Sequence, residues 1–178
     1  MSQLVRDNIK PAVILIDVSK LENDIVADCV RNMQAVLVYA NREELPVYLV
    51  ELSPSGSQQH PDERTAIQLR GLLSPNIPVI RKPRFNAFDD TDLLKQLHSR
   101  AVNSHVVLMG QEANCCVKQT ALGGVYRRRG GTFIDGAVGH GYSVLTSDVV
   151  LRANFPGGPS GIKADWWADP RVEYYSML

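Results

Sequence analysis

Short apolar runs alternate with stretches of helical period from Ala12 to Arg129. Ala12 to Val18 reads as a strand of the kind a parallel sheet buries on both faces, with Asp17 at its carboxyl end. Ser19 and Glu22 have capping-box spacing, and Val26, Cys29, Val30, Met33, Val36, Leu37 and Ala40 follow with helical period, predicting a helix to about Arg42. Val47 to Glu51 is a second strand, Ser53 to Pro61 is loop by composition, and Asp62 to Leu73 reads as a short helix with Ala66, Ile67, Leu69 and Leu72 or Leu73 inward. Ile77 to Ile80 is a third strand that runs directly into Arg81 and Lys82. Thr91 or Asp92 caps a helix with Leu93, Leu94 and Leu97 on one face. Val106 to Met109 is a fourth strand, broken by Gly110, and Asn114 stands where it can cap the helix that follows.

Such alternation predicts an α/β fold: a doubly wound, mostly parallel sheet of five or six strands with helices on both faces. The carboxyl-terminal third is less regular. Thr132 to Asp135 predicts a fifth strand, yet only about six residues separate it from the run Tyr142 to Thr146, and a parallel crossover needs a dozen or more. That run is therefore antiparallel or not a strand, and Ser147 alternatively caps a helix over Asp148 to Ala153. Arg127 to Arg129 complement the negative end of the helix before them. The tail 154–178 carries Trp166, Trp167, Tyr174 and Tyr175, too aromatic for a disordered tail, and is expected to pack on the domain or on a neighbouring subunit. No repeat or linker divides residues 1–178, so a single domain is expected.

Composition narrows the classes of function. With 178 residues and 44% hydrophobic content the chain can bury roughly 70% of the surface its unfolded form exposes. Nineteen basic and nineteen acidic residues leave no net charge to attract nucleic acid or a lipid surface. A neutral or mildly charged small molecule is the expected partner. The three cysteines are an odd count, two of them adjacent, and no signal-like or membrane-spanning stretch is present, so a cytoplasmic protein with reduced thiols is expected. Cys29 falls on the inward face of its helix and reads as a core residue.

Asp17, Lys82 and Cys116 each follow a buried strand, and ligands bind at the carboxyl ends of the strands in an open parallel sheet. Together they suit nucleophilic catalysis: a thiol attacks, a carboxylate takes its proton, and a cation lowers the thiol pKa. Cys115 and Cys116 stand in the first turn of a helix, where unpaired N–H groups and the macrodipole favour a thiolate.

In their order, Ala12–Asp17, Lys82–Phe88 and Gly110–Ala121 resemble the motifs of the isochorismatase-like cysteine hydrolases, the superfamily of nicotinamidases, N-carbamoylsarcosine amidase and ureidoacrylate amidohydrolase. The resemblance covers about residues 12 to 137. It implies Asp17 as general base, Lys82 as the cation and Cys116 as nucleophile. Cys116 rather than Cys115 takes that role because Val117 follows it and Thr120-Ala121 stand four residues on. It also implies a cis peptide at Gln111–Glu112, an oxyanion hole made by the N–H groups of Glu112 and Cys116, and a homo-oligomer. Phe85, Phe88 and Gln111 are candidates for the substrate pocket, with core or subunit contact equally open for the two phenylalanines.

Some positions depart from the family pattern. Val18-Ser19-Lys20 replace the usual run after the first aspartate, Ala113 stands where threonine is common, and Cys115 where an aliphatic residue is usual. After the second strand there is only Glu51-Leu52-Ser53-Pro54 and a lone His60, without the Asp-x-His and further His by which nicotinamidases hold a metal. No metal and no cofactor are therefore expected, and His60 and His140 read as solvated loop residues. The expected activity is hydrolysis of a carbon–nitrogen bond in a small amide, ureido or carbamoyl compound through a Cys116 thioester. The alternative is a catalytically silent domain that binds a ligand or partner or senses oxidants through Cys116.

Overall fold

The computed structural model describes residues 11–18, 27–53, 67–100, 105–110, 113–129, 132–135, 143–147 and 172–175. In chain order the elements are β1 (Ala12–Ile16), α1 (Ala27–Arg42), β2 (Val47–Leu52), α2 (Ile67–Arg70), β3 (Val79–Lys82), α3 (Leu93–Ser99) and β4 (His105–Gly110). A π-helical turn (Ala113–Val117) then runs into α4 (Lys118–Val125), followed by β5 (Tyr126–Arg129), β6 (Thr132–Asp135), β7 (Ser143–Ser147) and β8 (Val172–Tyr175). Among the described residues six strands form one sheet in the order β3-β2-β1-β4-β7-β8, every neighbouring pair parallel. This is the expected α/β architecture. The cap, loop and inward residues predicted over 19–26 and 54–66 lie outside the described residues, as do His60, the 148–153 helix, His140, Trp166 and Trp167, and the side chain of Cys29.

The centre of the sheet explains the uninterrupted apolar runs. β1 is flanked by β2 and β4 and none of its residues is exposed; Val106, Val107 and Leu108 of β4 are equally buried. On α1 the predicted inward positions Val30, Met33, Val36, Leu37 and Ala40 are all buried. Each fully buried aliphatic side chain of this size contributes about 1.5–3 kcal/mol of transfer free energy.

The strand order determines where the helices lie. β1 to β2 to β3 steps toward one edge, whereas β4 to β7 steps toward the other, so right-handed crossovers put α1 and α2 on one face and α3 and α4 on the opposite face. α1 and α2 are tied by Gln34 Nε2 donating to Gln68 O (2.9 Å) and Asn41 Nδ2 to Leu72 O (2.8 Å). On the other side the Tyr48 hydroxyl donates to Gln96 O of α3 (3.2 Å). Tyr48 and Leu52 share a face by alternation, and Leu52 is in register with Lys82, so Lys82 points to the α3 and α4 side. The order reverses between β1 and β4, and the crevice at that point is where this architecture binds ligands.

Gly110 closes the crevice floor. It has φ +131°, it is in register with Ile16, and a Cβ there would lie 2.0 Å from the Ile16 carbonyl oxygen. Gly110→Ala is expected to destabilise the fold by about 3 kcal/mol, read as a lower urea midpoint with an unchanged m-value.

The carboxyl-terminal part corrects the expected topology. Thr132–Asp135 is not a strand of the main sheet: it pairs antiparallel with β5 as a separate hairpin, Arg129 opposite Thr132 and Tyr126 opposite Asp135. Arg127 to Arg129 form β5, which follows directly on the end of α4. Ser143–Ser147 is a strand and is parallel, because its crossover starts at β4 and contains α4 and the hairpin, long enough for the parallel connection. From the tail, Val172–Tyr175 adds β8 at the sheet edge, with Tyr174 and Tyr175 in register with Thr146 and Ser147. The third strand is shifted two residues along, so that Lys82 is its last residue. The fourth-strand helix begins one residue early, at Ala113, which puts Asn114 inside the first turn and not at its cap. No described helix is long and apolar enough to cross a membrane.

Candidate active site

Asp17 is the first residue after β1. Its N–H still donates to Val50 O (2.9 Å), continuing the ladder, and the backbone then enters the left-handed region at φ +50°, which aspartate tolerates better than most residues. Its Oδ1 accepts the N–H of Leu52 (2.7 Å), so β2 orients the carboxylate as well as flanking it. Lys82 ends β3, two strands away, and is fully buried. Its Nζ lies 2.7 Å from Asp17 Oδ2 and donates to Cys116 Sγ at 3.2 Å. A buried ammonium is stable only when paired and hydrogen-bonded, and these two groups meet that requirement.

Cys116 sits in the π-helical turn that links β4 to α4 and is 7% exposed. Single π turns of this kind gather at functional sites. Cys115 is half-buried and packs against the core instead; both are free thiols. The three sequence-predicted side chains thus converge at the switch point between β1 and β4, with Lys82 between the other two.

The surroundings of Cys116 oppose the shift toward a thiolate that its helix-start position favours. Burial pushes the Cys116 thiol up to about 12, and the hydrogen bond and negative charge of Asp17 push the same way. The hydrogen bond and charge of Lys82 pull it down without overcoming them. Helix-start position and a nearby cation argue for a thiolate, but loss of water at a buried sulfur is the larger effect. The net direction at Cys116 is therefore toward the protonated sulfur.

The loop after Lys82 is fastened to the helix that follows Cys116. Thr120 Oγ1, one turn beyond Cys116, accepts the N–H of Ala87 (3.0 Å) and donates to Phe85 O (3.4 Å). Within the loop, Asn86 Oδ1 accepts the N–H of Phe88 (3.0 Å) and Thr91 Oγ1 donates to Ala87 O (2.6 Å) while accepting the N–H of Leu93 (3.3 Å). Phe88 is packed in the core at 2% exposure, whereas Phe85 is 52% exposed. Gln111 and Glu112 lie outside the described residues. Glu51, though buried, is in register with Arg81 on the opposite face of the sheet from Lys82. Among the described residues no group of three or more His, Cys, Asp or Glu is arranged to hold a metal ion.

Two contributors carry no signal of their own in the sequence reading. The Leu52 amide is a backbone group and has no sequence signature. Thr120 served there only to set the register of Cys116; its spacing of four residues from the cysteine, which puts both on one helix face, is the signal that could have found it.

Known proteins agree with this architecture. No functionally curated protein matches the chain in sequence. Among solved structures, N-carbamoylsarcosine amidase from Thermoplasma acidophilum superposes with a TM-score of 0.65 at 18% identity, over 94% of this chain and 96% of that one. An isochorismatase from Pseudomonas putida KT2440 superposes with a TM-score of 0.61 at 20% identity, over 79% and 70% of the two chains. The nicotinamidase of Staphylococcus aureus does so with a TM-score of 0.57 at 16% identity, over 79% and 83%. At these identities the likeness is one of fold. The isochorismatase domain profile matches residues 11–128, more than half of the chain, and the chain therefore belongs to the isochorismatase family.

Proposed function

We propose that this protein hydrolyses the carbon–nitrogen bond of a small amide, ureido or carbamoyl compound through a thioester on Cys116, with Asp17 as the proton carrier and Lys82 as the cation that holds the pair. The observation that carries this reading is the bridge made by one buried ammonium, 2.7 Å from Asp17 Oδ2 and 3.2 Å from Cys116 Sγ. A family of hydrolases with amidases among its structural neighbours supports the same reaction class.

The raised thiol pKa sets the order of events. Cys116 Sγ attacks the substrate carbonyl as its proton passes to Asp17, so the thiolate is generated during attack and not stored at rest. The carbonyl oxygen becomes an oxyanion, held by the N–H groups of Cys116 and Glu112. Asp17 returns the proton to the leaving nitrogen, the carbon–nitrogen bond breaks, and an acyl-sulfur bond remains. Water then attacks the thioester, giving its proton to Asp17, and the proton moves back to the departing sulfur. Vinyl ether cleavage, also found among such proteins, proceeds by protonation and water addition and leaves the thiol without a role. A reducing compartment such as the cytoplasm keeps the sulfur competent.

Screening primary amides, ureido acids and carbamoyl compounds for ammonia release, followed by intact-protein mass spectrometry of a quenched turnover mixture, tests the proposal. The expected result is an acyl adduct on Cys116. Efficient isochorismate cleavage by Cys116→Gly, with no adduct from any amide in the unaltered protein, would move the chain to the vinyl ether branch. Turnover is expected to be indifferent to a chelator, since no pair of histidines stands at ligand spacing after β2; loss of activity on chelation with recovery on adding zinc or iron would refute that.

A further inference from the structure

Lys82 and Cys116 come from elements far apart in sequence, and something must set their separation. Asp17 fixes one end of the ammonium, but the loop 83–88 leaves β3 immediately after Lys82 and belongs to no ladder. The Phe88 N–H donates to Asn86 Oδ1 within it and the Thr91 hydroxyl donates to Ala87 O from just beyond it, bonds that make it compact without attaching it to α4. Thr120 supplies that attachment. Its hydroxyl, fully buried, accepts from Ala87 N–H and donates to Phe85 O, and among the described residues no other hydrogen bond joins this loop to α4. Only a hydroxyl can serve an amide N–H and a carbonyl with one atom. Thr120 also stands four residues after Cys116, on the same helix face.

We propose that Thr120 is a positioning residue: by clamping the loop that follows Lys82 onto the helix that carries Cys116, it holds the ammonium at hydrogen-bond distance from the sulfur. This inference rests on the proposed pairing of Lys82 with Cys116. A loss of packing alone would leave the Lys82 effect on the sulfur intact, whereas a loss of positioning uncouples the two.

The test is the rate at which iodoacetamide alkylates Cys116 in the full-length protein, located by peptide fragmentation, across Thr120→Val, Lys82→Met and the double variant. Lys82→Met should slow alkylation, since the cation lowers the thiol pKa. With Thr120→Val in place, the factor by which Lys82→Met slows the reaction should shrink by at least about threefold, within the range of couplings inside one hydrogen-bonded network. Thr120→Ser, which keeps the hydroxyl, should preserve the original factor. An equal Lys82 effect with and without the Thr120 hydroxyl, or a Ser variant that behaves like Val, overturns the proposal while leaving the function reading untouched. If Lys82→Met does not change Cys116 reactivity when Thr120 is intact, the pairing itself fails and both fall. Should circular dichroism show Thr120→Val unfolded, Thr120→Ala takes its place in the same comparison.

Discussion

Cys116→Ala is expected to lower amide turnover by at least about 10³-fold, because it removes the atom that carries the proposed covalent intermediate. Cys115→Ala is expected to keep most of the activity. The two residues are neighbours of the same chemical type, so the contrast isolates position. Cys116 Sγ meets Lys82 Nζ, whereas Cys115 is half-buried against the core. Deleting one buried sulfur costs on the order of 1 kcal/mol of stability, too little to unfold a domain of this size. Ammonia release by the two purified variants, with thermal melts as control, makes the measurement. Loss of activity in Cys115→Ala with retention in Cys116→Ala would sink the assignment.

Asp17→Asn is expected to move two observables in opposite directions. Turnover should fall by about 10²–10⁴-fold, since the amide cannot take the thiol proton and pass it to the leaving nitrogen. Alkylation of Cys116 at pH 8 should instead become faster. Burial is the main cause of the high thiol pKa and persists in the variant, but the contribution of the Asp17 carboxylate, which also raises it, is gone while that of Lys82, which lowers it, stays. The thiol pKa therefore drops from about 12, and a larger fraction is thiolate at pH 8. In the unaltered protein the alkylation rate should keep climbing with pH well past 9, the ordinary value for a thiol. Lys82 loses its charge partner in this variant, and breaking a buried pair is destabilising by about 3–5 kcal/mol, so a folded fraction measured by circular dichroism must accompany both rates. A parallel fall in turnover and alkylation would show that the carboxylate acts on the fold and not on the proton.

Much of the architecture is written in local patterns. The apolar runs at Ala12, Val47 and Val106 state that their strands are buried on both faces, and the spacing of Val30, Met33, Leu37 and Ala40 states which side of α1 faces the sheet. Strand and helix in alternation then leave few topologies other than a parallel doubly wound sheet. Asp17, Lys82 and Cys116 were legible because each ends or follows one of those strands and because three motifs stand in a family's order.

What local patterns do not encode is the relation between segments. Thr132–Asp135 has the composition of a sheet strand, but whether it joins β4 or folds back on β5 is decided by which partner its backbone groups find. The parallel β7 follows from that choice, since moving the hairpin out of the sheet gives the crossover its length. The left-handed Asp17, the π turn at Cys116 and the Leu52 amide that orients the carboxylate are backbone features, and side-chain periodicity is blind to a turn that holds one residue more. The protonation of Cys116 is decided last. The sequence supplies its charged neighbours, but desolvation depends on how completely the folded chain excludes water from the sulfur, and only the packed tertiary structure sets that quantity.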